Sequence, residues 1–249
     1  RFTSTTALLA TFAIATTHVT QWTNTLWGHP DSLTLLPIAL LLCSRNAVLV
    51  LTATVIGATN DERFVLALPF LLLWWWPEGV PLSQFLRESV RALAAAIFGL
   101  GLILLLRLAL THGFIGPGIE SPYRGGGSLF TFFLSRLFIP VEWPGLLLMV
   151  LLGFRWLWLL PAATWFVLIR QSPSLRQWFY IFVLPLGVLS TVTSADISRN
   201  CAFLFPVLLV AIELLLQQVH LSQRQLNRWL AWALGMNVIT PAAMVFNLP

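Results

Sequence analysis

The sequence predicts an all-α fold, a polytopic transmembrane helix bundle of about 7–9 membrane helices if short and broken ones are counted. Three observations point there. The 249 residues are 58% hydrophobic and 9% charged, with a mean hydropathy of +0.84. Soluble domains carry charges at roughly 25% to cover their surface, so most of this surface needs lipid as its solvent. Long apolar runs recur along the chain, and short breaks rich in Pro, Gly, Arg or acids divide them. The twelve Trp and eighteen Phe suit lipid-facing and interfacial positions.

Residues 5–27 form the first run, long enough to cross about 30 Å of hydrocarbon. Its Thr hydroxyls can bond back to their own helix carbonyls. Gly28-His29-Pro30-Asp31-Ser32 ends it, Pro stopping the helix and Asp31 or Ser32 capping the next. Two short runs follow, 33–43 and 47–59, split by Ser44-Arg45-Asn46; a hairpin of short helices is favoured over one broken helix. Asn60-Asp61-Glu62-Arg63 interrupts the pattern before a run over 64–76 that closes on three Trp and Pro77, which reads as an interfacial belt.

A segment opening with Arg87, Glu88 and Arg91 continues apolar to residue 110, and Glu88 and Arg91 are spaced to pair on a helix surface. Residues 111–128 are the longest polar loop, with Gly125-Gly126-Gly127; 130–139 suits an interfacial segment. Further runs cover 145–169, 178–193, 201–218 and 229–246. The pattern shows neither a repeat nor a soluble domain. The chain opens on Arg1 without a signal-peptide pattern, so a single transmembrane helical domain over 1–249, lacking an N-terminal portion, is expected.

The fourteen basic residues are all Arg and are scattered singly, which argues against nucleic acid and for anionic lipid headgroups as counter-charge. Cys43 and Cys201 lie far apart and form neither a metal spacing nor a disulfide framework. Placing Arg45, Arg87, Arg91, Arg170, Arg176, Arg224 and Arg228 on the cytoplasmic side sets the orientation. Alternating spans then bring Asp31, Asp61, Glu62, Arg63, Asp196 and Arg199 to the opposite face.

Each candidate has two readings. Asp61 can cap the following helix while Glu62 and Arg63 sit among headgroups, or one acid can enter a wet cavity as a base. Asp196 and Arg199, three apart, can form a capping ion pair, or Arg199 can present its fork to a phosphate or carboxylate. Asp31 is a turn cap or a proton relay with His29. Arg107 is expected to snorkel, and Arg155, nearer mid-span, to enter a buried pair. Glu213 is the one acid expected at membrane depth. The glycine run at 125–127 lacks the Lys-Ser/Thr ending of a nucleotide cradle and reads as a flexible loop, in position to act as a lid over the polar face.

Asp61-Glu62-Arg63-Phe64 followed by Pro69 resembles the acid-Arg-Phe stretch at a span entrance in mannosyltransferase branches of the GT-C type, polytopic glycosyltransferases that use polyprenyl-phosphate sugars. Asp31, Asp61-Glu62 and Asp196-Arg199 are similar to the polar punctuation of uncharacterised bacterial membrane proteins grouped nearby. Asn60-Asp61 stands where that family would carry His or Lys before Glu.

The resemblance implies glycosyl transfer from a lipid-linked donor at the non-cytoplasmic face of a bacterial inner membrane. Asp31, Asp61, Glu62 or Asp196 would serve as the acid or base, Arg63 and Arg199 would bind phosphate, and the same acids could hold a divalent metal, though nothing in the sequence requires one. Two other readings stand beside it. One is a non-catalytic subunit packed against a respiratory or photosynthetic membrane complex. The other is a small transporter, for which a broken helix near Arg45 and a buried Glu213 speak.

Overall fold

The structure, a computed structural model, describes residues 3–15, 17, 31–116, 139, 143–192, 197–218 and 221–239, without the side chains of 31–33, 62, 146, 149 and 197–199. Every regular element among the described residues is helical. In order they are α1 (Ser4–Ala15), α2 (Asp31–Cys43), α3 (Ala47–Asn60), a 3₁₀ turn (Glu62–Ala67) running into α4 (Leu68–Trp75), and α5 (Leu82–Thr111). Then come α6 (Trp143–Phe154), a second 3₁₀ turn (Arg155–Trp158), α7 (Leu159–Ile169), α8 (Leu175–Val192), α9 (Ile197–Phe203), α10 (Pro206–Gln218) and α11 (Gln223–Ile239).

The two short runs after residue 31 do form a hairpin. Asn46 caps α3, its Oδ1 accepting from the Val48 and Leu49 backbone N–H groups at 3.0 and 3.2 Å. The expected run over 64–76 is not one α-helix. Pro69 has no N–H to give the carbonyl four residues back, so the stretch before it tightens into a 3₁₀ turn and α4 starts at Leu68. The same reasoning applies at Pro161, just after the Arg155–Trp158 turn, and at Pro206, which opens α10 after α9.

Among the described residues three helices are long and apolar enough to cross a membrane: Leu82–Thr111, Trp143–Ile169 (α6, its turn and α7) and Leu175–Val192. The other apolar helices are shorter. The surface is heavily apolar; Ile97 is 71% exposed, Leu105 66%, Phe98 64% and Phe182 62%. Exposure on this scale is rare on proteins surrounded by water.

Two apolar cores hold the bundle. One gathers α7, α8 and α10 around Phe154, Leu168, Tyr180 and Ala211; the other joins α2, α3, α4 and α5 around Ile38, Val50, Phe64 and Trp75. Gly99 lets α5 approach α3, since a Cβ there would meet Thr54 side-chain carbons at 3.2 Å. Thr6 on α1 lies 2.6 Å from Gln223 Oε1 and 2.7 Å from Asn227 Oδ1, close enough for its hydroxyl to donate to either. Farther along both helices the Asn237 amide donates to the Ala13 carbonyl at 3.3 Å, so α1 and α11 run in the same direction.

The triple Trp differs from an outward interfacial belt. The indoles of Trp74 and Trp75 donate to the carbonyls of Leu42 and Leu41 at 2.8 and 2.7 Å, and Trp75 is buried. These are carbonyls of the last turn of α2, which the helix itself cannot satisfy. Residues 18–30, 117–138, 193–196, 219, 220 and 240–249, with His18, His29, Glu120, the 125–127 glycines, Asp196 and His220, lie outside the described residues.

Candidate functional site

The Asn60–Arg63 break is where helices distant in sequence meet. At the end of α3 the Asn60 amide donates to the Thr34 hydroxyl on α2, near the Asp31 start of that helix. Asp61 then turns extended, with φ −151° and ψ 121°, and ends the α-helix. Its Oδ1 accepts the Arg63 backbone N–H at 2.9 Å, capping the 3₁₀ turn. Phe64 is fully buried against Gly57, where a Cβ would come within 2.5 Å of the ring.

The Arg63 guanidinium folds back on the same carboxylate. Nε donates to Oδ1 at 2.8 Å and lies 3.0 Å from Oδ2, and Nη2 donates to Oδ2. Nη1 reaches across to Asn200 Oδ1 on α9 at 3.1 Å, and the guanidinium carbon stands 5.6 Å from the centre of the Phe203 ring. Asp61 is 8% exposed and Asn200 2%, while the Arg63 side chain keeps 22% exposure. Of the five guanidinium N–H groups, these bonds engage three, so among the described residues each terminal nitrogen retains one.

The 31–34, 60–63 and 197–200 segments therefore share one end of the bundle. Asp61 and Arg63 are joined directly. Glu62 opens the 3₁₀ turn, Asp31 opens α2 and Arg199 lies in α9, but their side chains are not described; Asp196 lies outside the described residues.

A second polar cluster sits at the other end, where the helices that start near Arg63 and Asn200 finish. The Arg176 side chain on α8 is 2% exposed. It donates from Nη1 to Glu78 Oε2 and from Nη2 to Glu213 Oε2, both at 3.0 Å, and from Nη2 to the Leu73 carbonyl at 3.0 Å. Glu78 Oε1 also accepts from the Ser174 hydroxyl at 2.9 Å and from Gln177 at 3.0 Å. Glu213, the one acid expected at membrane depth, is buried inside the protein. Arg176, expected on the cytoplasmic side, is enclosed as the shared cation of Glu213 and Glu78. The available signal was the depth of Glu213, which demands a nearby cation.

Arg155 takes φ +51°, a left-handed backbone unusual for a side chain with a Cβ, and its guanidinium donates to the Asn237 carbonyl on α11. Arg107 donates to the Ala58 carbonyl at 3.1 Å. Glu88 accepts from Gln84 at 2.8 Å. Among the described residues no group of three or more His, Cys, Asp or Glu stands ready for a metal ion. An apolar groove of about 400 Å³ runs between α6, α7 and α8, lined by Trp143, Leu147, Trp165, Phe166, Pro185 and Val192. Its Val192 end precedes the segment leading to α9. Comparison with protein-family models, curated proteins and solved structures finds no match.

Proposed function

We propose that the chain is a multi-pass protein of a bacterial inner membrane, its about 7–9 membrane helices including the short ones. Its polar end at Asp61, Arg63 and Asn200 serves a GT-C-like glycosyl transfer from a lipid-linked sugar at the non-cytoplasmic face. The observation that carries the reading is the Arg63–Asn200 bond, supported by Asn60–Thr34, because it joins breaks 137 residues apart in one polar place. Asp61 holds the guanidinium at a fixed angle, and the N–H groups left on Arg63 suit a phosphate. This makes Asp61 a positioning group. Glu62, Asp31 or Asp196 then takes the proton of the acceptor hydroxyl, and Arg199 joins Arg63 on the leaving lipid phosphate. The apolar groove ending at Val192 gives the donor's chain a place beside that end.

The test uses purified protein and a labelled polyprenyl-phosphate sugar. Glu62→Gln is expected to lower turnover by about 10²–10⁴-fold, the scale of a lost general base, with expression unchanged. Equal product from the variant and the parent chain overturns the transferase reading.

A second reading, a non-catalytic subunit of a larger respiratory or photosynthetic membrane assembly, is favoured by α5, whose exposed Ile97, Phe98, Leu104 and Leu105 offer a long apolar face. Copurification in mild detergent separates the two, since this reading requires stoichiometric membrane partners.

A further inference from the structure

Besides Arg45 in the α2–α3 loop, five arginines decorate the bundle end that holds the Arg176 cluster: Arg87 and Arg91 on α5, Arg170 after α7, and Arg224 and Arg228 on α11. The chain places them there. Phe85 stacks on Trp76 at 5.4 Å beside the Glu78 turn; Arg170 is four residues from Ser174, which bonds Glu78; and α11 begins after α10 has carried Glu213 to this end. All five are exposed, and none of their side chains bonds another described residue. The acids at this end offset only part of their charge, because Glu78 and Glu213 share Arg176 and Glu88 is the one further acid beside the α5 pair.

Four of the five form two i, i+4 pairs, Arg87 with Arg91 and Arg224 with Arg228. Such pairs place like charges side by side on one helix face, which is unfavourable by itself and favourable once an anion bridges them. The surroundings show which kind of anion fits. Leu86 and Val90, 45% and 56% exposed, lie next to the first pair, and Trp229 adjoins the second. Trp178, 43% exposed, stands at the same level near the start of α8. Guanidinium pairs beside exposed apolar and indole surface match an anionic head joined to hydrocarbon.

We infer that this end is a binding surface for anionic phospholipid, the two arginine pairs each holding one headgroup phosphate. The inference does not depend on the transferase reading.

The test follows thermal unfolding of the detergent-solubilised full chain during titration with phosphatidylglycerol, phosphatidylcholine or inorganic phosphate. Phosphatidylglycerol is expected to protect at the lowest concentration, and less so in high salt. R87Q/R91Q and R224Q/R228Q should each weaken that protection by about 30-fold, taking about 1 kcal/mol per arginine at a membrane surface. The matching Lys pairs keep the charge and should stay within a few-fold of the parent, which guards against misfolding as the cause. Equal protection by phosphatidylcholine, equal protection by inorganic phosphate, or unchanged response in both Gln variants overturns the inference.

Discussion

Arg176 shows what one buried charge does to a helical bundle. Its guanidinium has lost its water and recovered contacts on Glu78, Glu213 and the Leu73 carbonyl, so four pieces of chain converge on one side chain. Removing one member of such a set leaves the others charged and unsolvated. Arg176→Ala is therefore expected to lower stability by about 3–5 kcal/mol, measured by denaturant unfolding in detergent. Glu213→Gln should cost less, because its amide oxygen can still accept from Nη2. A loss under about 1 kcal/mol for Arg176→Ala would mean the cluster is wet and weakly coupled. Glu213 stood out in the sequence because an acid within a leucine-rich run has to be matched. Its partner could not be read there, since Arg176 is 37 residues away and looks like any basic residue at the start of a span. Asp61 and Arg63 were legible as a motif, but whether they were bonded to each other, to headgroups or to a ligand depended on Asn200, which is unremarkable in sequence.

At the scale of elements, the breaks were more legible than what fills them. Ser44-Arg45-Asn46 between two short apolar runs specified the α2–α3 hairpin through one asparagine cap. The three-tryptophan run was harder. Exposed indoles at a membrane surface and inward indoles capping a helix end read identically, and only the fold of α4 against α2 decides. The 3₁₀ turn after Asp61 follows from Pro69, yet its survival depends on Gly57, because Phe64 occupies the space of a side chain there. Gly57→Ala should push Phe64 out of its seat, cost about 1–3 kcal/mol as overpacking and disturb the Arg63–Asn200 bond. Tryptic cleavage after Arg63 reads this directly, and a variant as resistant as the parent would show that the ring can move aside without loss.

For the whole molecule, the contrast between its ends is the organising fact. One end gathers α2, α3 and α9 at Asp61, Arg63 and Asn200; the other closes on Arg176 beneath a surface of exposed arginines. Arginine placement in short loops made this polarity legible, because the loops alternate as the helices do. The number of full-length crossings was less legible. Composition measures how much apolar chain there is, whereas breaks such as those at Pro69 and Pro206 determine how it is cut, and several runs end as pieces shorter than a span. The left-handed Arg155 and its bond to the Asn237 carbonyl had no sequence signal beyond a charge at mid-run, since backbone geometry of that kind is set by neighbours.

The partnership of α1 with α11 bears on how the protein is made. Thr6 and its acceptors are separated by 217 and 221 residues, so α1 is synthesised long before the surface it fits has left the ribosome. Through that interval the Thr6 hydroxyl has the Thr3 hydroxyl, 2.8 Å away on the same helix, as a local partner. Final closure of the bundle is then a late event, governed by the arrival of Gln223, Asn227 and Asn237.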